Sequence, residues 1–289
     1  IDVGVPMRDP AGVGHTSAAL PSARALVGRL AAAFVVACTG STLLLLTQFA
    51  ARTAGGVAAI GTQWATTQEQ VRYAIPFTLA LTVPLSVLVA VLWVFTTLGR
   101  TGLLDAVSAS RTAARRLAVP VMAGAAAVAM LYYPLVTELV PRANAHLEQL
   151  RSNSARPVGE RSMTLDALRA AVAAEQQTAS AHSPVRIASY EVEIHKKFAL
   201  SAASVVFALV GMAVTFRWPR GGRPLAITAS AALVVGYYVC ATVAEEVADR
   251  GTLSPMVAMW AANAAVLLVA IMLTWAGGGR PRADAWARA

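Results

Sequence analysis

Between Phe198 and Trp275 the chain carries three apolar runs in succession, Phe198–Phe216, Pro224–Ala244 and Pro255–Trp275. Each is about the 20 residues that a helix needs to cross roughly 30 Å of hydrocarbon at 1.5 Å per residue. Lipid offers the backbone no hydrogen-bond partners, so a run of this kind must satisfy its own N–H and C=O groups as a helix. Short polar breaks separate the runs: R-W-P-R-G-G-R (Arg217–Arg223) after the first and Glu245-Glu246 after the second. A charged collar, Glu193, His195, Lys196 and Lys197, precedes the first. The N-terminal half repeats the pattern with Leu30–Phe49, Tyr73–Leu98 and Ala118–Val140. Pro76 and Pro84 interrupt the second of these, and a kink is expected at Pro84, tolerated where neighbouring helices compensate. The third is rich in Ala and suited to close helix packing. The fold class that follows is an all-α membrane protein with six transmembrane helices.

Composition agrees. Hydrophobic residues make up 57% of the chain and charged ones only 13%, with a mean hydropathy of +0.58, whereas charged residues alone are about a quarter of a soluble domain. A net charge of +9 would suit a nucleic-acid partner. Here the basic residues occupy short loops between apolar runs and lack interleaved aromatics, so no nucleic-acid partner is expected and membrane orientation is the better account. Arg100, Arg111, Arg115 and Arg116 against Asp105 mark one side, joined by Arg217, Arg220 and Arg223 and by Arg280, Arg282 and Arg288 of the tail. Glu245, Glu246 and Asp249 mark the other, which places both termini in the cytoplasm.

The expected organisation is a flexible cytoplasmic leader over 1–26, helices 1–3 over 27–140, a short helical or irregular periplasmic connection over 141–196, helices 4–6 over 197–276, and a cytoplasmic tail over 277–289. A chain that opens on Ile reads as a truncated or over-extended start, with Met7 an alternative initiator. In the connection, Thr164 is positioned to cap a short helix with Asp166 in its first turn, and Leu165, Leu168 and Val172 share one face. No segment there alternates with a period of two, so no β-domain is expected. Glu138 and Arg142, four apart, are expected to pair. Asn263 lies within a span without an evident partner, as a residue placed to hydrogen-bond another helix. Cys38 and Cys240 sit in apolar runs and read as buried hydrophobes; His15, His146, His182 and His195 have no metal-ligand spacing, so no metal or other cofactor is expected.

E-I-H-K-K-F-A-L (Glu193–Leu200), V-V-F-A-L-V-G-M (Val205–Met212), G-Y-Y (Gly236–Tyr238) and L-S-P-M-V-A-M-W-A-A-N (Leu253–Asn263) together resemble the C-terminal half of the LptF/LptG (YjgP/YjgQ) family. Its members are permease subunits of the ABC transporter that extracts lipopolysaccharide from the bacterial inner membrane. The resemblance runs from about Val27 to Leu273 and implies a second permease half and a separate ATPase as partners. T-E-L-V-P-R-A-N (Thr137–Asn144) and M-T-L-D-A-L-R (Met163–Arg169) are similar to the segments that flank the family's periplasmic β-jellyroll. Only about twenty residues separate them here, against on the order of a hundred for a sandwich domain, so most of the jellyroll is missing.

What the resemblance implies about sites follows residue by residue. The family's ATPase docks on the loop between spans two and three; Leu98-Gly99-Arg100 matches its L-G-R, and Ala114–Pro120 resembles its L-R-R-L-x-x-P. Between them the family's acidic helix is reduced to L-D-A-V-S-A-S-R-T-A, so Arg100, Asp105 and Arg111 are the candidates for coupling, with a solvated loop acid the alternative for Asp105. The family's lipid cavity is lined by spans one and five. Gln48, Arg52, Arg72, Tyr237 and Tyr238 are its candidates here, against interfacial snorkelling for the arginines and helix packing for the tyrosines. The only lysines are Lys196 and Lys197 and G-x-x-x-x-G-K-[ST] is absent, so any ATP must be hydrolysed by another chain. No span carries a catalytic Ser–His pair or H-E-x-x-H, so the chain is not expected to be an enzyme. The expected function is a permease subunit moving lipopolysaccharide or a related amphipathic membrane lipid; the alternative is a helical scaffold or accessory subunit that no longer transports.

Overall fold

The computed structural model describes residues 21–53, 64–108, 111–151, 159–178 and 183–277. These residues form α1 (Ala23–Thr53), α2 (Trp64–Gly99), α3 (Leu103–Ser108), α4 (Arg111–Pro134), a π-helical segment (Leu135–Leu139), α5 (Val140–Arg151), a 3-10 turn (Glu160–Ser162), α6 (Leu165–Thr178), α7 (Ser183–Arg217), α8 (Gly222–Asp249) and α9 (Pro255–Gly277). Among the described residues there is no strand. Six helices are long and apolar enough to cross a membrane, built on α1, α2, α4–α5, α7, α8 and α9. The protein is a multi-pass membrane protein.

α7 is the hub. Its 35 residues extend about 50 Å, so it crosses the hydrocarbon and continues beyond it. Leu88 and Leu92 of α2, Phe207, Val210 and Val214 of α7, Tyr237 of α8 and Val266 of α9 form one buried cluster. A second joins Leu26 of α1, Phe95 of α2, Leu104 of α3, Leu117 of α4 and Met212 of α7. Gly211 lets α2 approach closely: a Cβ there would stand 3.0 Å from Val91 Cγ1.

Several boundaries differ from those read off hydropathy. α1 is already helical at Ala23, because Ser22 caps it (Ala25 N–H to Ser22 Oγ, 3.2 Å) and Leu26 is buried. The polar turns ahead of the fourth span continue α7 unbroken from Ser183. Thr164 caps α6 as expected, with the Ala167 N–H 3.4 Å from its Oγ1, and Leu165 and Leu168 are buried. Glu138 and Arg142 pair at 2.7 Å. Asn263 finds its partner on α7, donating from Nδ2 to the Ala199 carbonyl at 2.8 Å.

Candidate functional site

Helix rise fixes where the polar groups lie. Lys197 is about 30 Å along α7 from Arg217, Glu245 is at nearly the same height above Arg223 on α8, and Ala80 is about 30 Å from Arg100 on α2. All three therefore reach the hydrocarbon boundary at the end of the bundle that carries α5 and α6.

Prolines create the polar demand there. Pro84 has no N–H to offer the carbonyl four residues back, and the Tyr132 hydroxyl of α4 donates to that carbonyl, Ala80 O, at 2.6 Å. Tyr238 of α8 donates to the next one, Leu81 O, at 2.8 Å. In the π-helical segment the Val140 N–H reaches back to Leu135 O. The next donor in that series would be Pro141, which has none. Lys197 Nζ takes its place, donating to Val136 O at 3.1 Å. Both repairs come from neighbouring helices, which is how a membrane bundle tolerates proline.

The remaining charges form a chain. Glu193 lies 3.8 Å from both Lys197 and Lys196, one helical turn away in each case. Lys196 Nζ donates to Glu245 at 2.7 Å, joining α7 to α8. Arg161 reaches the same Glu245 oxygen at 3.1 Å, and Asn144 Nδ2 holds the Arg161 backbone carbonyl at 3.3 Å. A cavity of about 370 Å³ lies among these groups. Its polar end holds Arg161, Glu193, Lys196, Lys197 and Glu245; Phe77, Leu81, Leu200, Tyr238 and Ala241 are among its apolar lining.

Of the expected cavity residues, Tyr237 and Tyr238 line this space. Tyr237 is buried, edge-on to Phe207 at 4.9 Å, so it also packs. Gln48 and Arg52 on α1 and Arg72 on α2 are exposed and do not line it. Arg161, Lys196 and Glu245 were missing from the sequence-derived set because their pairings join residues 49 and 84 positions apart. Only the Val140-Pro141 step and the E-I-H-K-K collar hinted that a cation was needed here.

At the opposite end two turns interlock. A Cβ on Gly99 would overlap the Pro219 carbonyl oxygen, so only glycine allows the α2–α3 turn to sit against the α7–α8 turn. The Arg223 guanidinium lies 5.2 Å over the Trp93 ring, a cation–π contact between α8 and α2. Arg100 and Arg220 border one shallow hollow with Gly99, Thr101 and Gly102. Asp105 falls in α3 and Arg111 opens α4; their side chains lie outside what the structure describes.

A family model, Lipopolysaccharide export system permease LptF/LptG, matches residues 24–161 and 155–276. The chain belongs to the LptF/LptG family. The two matched stretches cover all six spans and meet at 155–161, inside the connection where the sequence has no room for a sandwich domain. No curated protein matches the chain. Family membership makes it a membrane permease, a transporter component.

Proposed function

We propose that this chain is one permease half of an ABC-type exporter that moves lipopolysaccharide or a related amphipathic lipid out of the bacterial inner membrane. A second LptF/LptG-like half and a separate ATPase complete it, and both termini lie in the cytoplasm. The observation that carries the reading is which spans are left uncovered. The least buried apolar windows are those of α1 (none) and α8 (17%), followed by the third span (22%) and α9 (33%), against 61% for α2 and 67% for α7. Val36 and Leu44 of α1 and Val235, Val239 and Val243 of α8 stand exposed. These are spans one and five, the pair through which halves of this family enclose lipid.

In this reading the ATPase docks on the α2–α3–α4 loop through Arg100, Asp105 and Arg111. Its closing motion passes through Gly99 and Pro219 to α8, whose exposed Val235, Val239 and Val243 face the lipid path while Tyr237 and Tyr238 hold α8 against α7 and α2. Gln48, Arg52 and Arg72, on the exposed side of α1 and α2, attract lipid phosphate at the outer boundary. With so short a connection between the third and fourth spans, onward transfer falls to the partner half's jellyroll.

Affinity purification from native membranes tests this: a jellyroll-bearing permease and a soluble ATPase should co-purify, and the ATPase should be lost on Asp105→Lys. The short connection and the reduced acidic helix favour one rival, a scaffold subunit that no longer transports. Stable association with an unrelated membrane assembly, without an ATPase, would establish that rival.

A further inference from the structure

The cavity between α2, α7 and α8 has an amphipathic lining, with every charged group at one end. Three cations, Arg161, Lys196 and Lys197, face two carboxylates, Glu193 and Glu245. Lys197 is spent on Val136 O and Glu193, and the Lys196 ammonium on Glu193 and Glu245. Arg161 must share Glu245 with Lys196. Its guanidinium engages a partner through Nη2 alone among the described residues, and its side chain is 72% exposed at the mouth. A guanidinium carries five N–H donors in a planar fork suited to phosphate. The polar end therefore carries one positive charge more than its carboxylates balance.

Below the charges the wall is apolar, formed by Phe77, Leu81, Leu200, Tyr238 and Ala241. Phe77 is 46% exposed, so the slot opens sideways between α2 and α8 towards lipid. A volume of about 370 Å³ lies near the lower limit of pockets for a single small ligand, about 300–1,000 Å³. It suits one hydrocarbon chain at a time.

We propose that this slot binds an anionic phospholipid, with one acyl chain inserted between α2 and α8 and the phosphate on Arg161. The bound lipid is a resident of the half and not the exported molecule. The inference rests on the multi-pass membrane assignment and not on export, so it stands or falls separately from the transport reading.

The test uses the full chain purified in detergent micelles and native mass spectrometry during titration with dioleoylphosphatidylglycerol. One molecule should bind about tenfold or more tightly than dioleoylphosphatidylcholine, and inorganic phosphate should not displace it. Arg161→Gln should weaken it about tenfold, the loss of one charge-assisted bond. Ala241→Phe, which fills the slot, should abolish the selective site, while Arg142→Gln, paired with Glu138 elsewhere on this end, should leave it unchanged. If Ala241→Phe does not elute as a single folded species, Ala241→Leu takes its place with the same expectation. Equal binding of the two lipids, displacement by phosphate, or undiminished binding in either slot-filling variant or in Arg161→Gln would overturn the proposal. Recovery or loss of an ATPase in the purification described above has no bearing on these outcomes.

Discussion

α1 and α7 have similar lengths and nearly the same mean hydropathy in their apolar windows, 2.0 and 2.1, yet 67% of the α7 window is buried and none of the α1 window. Hydropathy therefore says that a helix enters lipid but not what it meets there. Small residues alone do not set the difference, since α1 carries Gly28 and Gly40 and a Cβ at either would meet nothing within 4 Å. α7 offers Gly211, Ala203 and Ala208 for close approach, and its Glu193, Lys196 and Lys197 near the boundary find partners. α1 joins the bundle by one edge, through Leu26 and a Thr42–Thr82 hydroxyl contact of 2.9 Å, and leaves Val35, Val36, Leu43 and Leu44 exposed. One helix completes this chain; the other is left for something outside it.

Substitutions sharpen the contrast. Phe207→Ala on α7 empties a fully buried site and should cost about 3–5 kcal/mol, read as lost thermal stability in micelles. A cost under about 1 kcal/mol would mean that α7 is not the hub. Lys197→Met leaves the buried Val136 carbonyl without a donor while Glu193 keeps Lys196; about 1–3 kcal/mol is expected for the unsatisfied group. Gly99→Ala should cost about 1–3 kcal/mol as the turn is forced off Pro219. In the assembled transporter it should leave ATP hydrolysis in place and reduce transport; equal loss of both would place the defect in docking. On α1, Val36→Ala and Leu44→Ala should change the stability of the isolated chain by less than about 0.5 kcal/mol. The same changes should weaken assembly with a second half, measured by the fraction recovered as the larger complex.

Much of this architecture was legible because span length is a one-dimensional property: six apolar runs map onto six helices without knowledge of what packs on what. Local pairs were legible for the same reason. Glu138 and Arg142 are four apart, and Thr164 is adjacent to the helix it caps. The cavity was not. Lys196 meets Glu245 across 49 residues and Arg161 meets it across 84, and nothing local records those encounters. The prolines carry part of the missing signal. Pro84 and Pro141 announce carbonyls that lack donors, and Tyr132 and Lys197 answer them. Height along a helix gives the depth of Gln48, Arg52 and Arg72 in the membrane, and their exposure is legible only once the helices are packed.

In the proposed assembly a second permease half covers the exposed face of α1. A photo-crosslinking amino acid at position 44, in the full chain in native membranes, tests it directly. A specific adduct with another LptF/LptG-type subunit is the expected product. Adducts with lipid alone, or with a protein unrelated to the family, would contradict the claim.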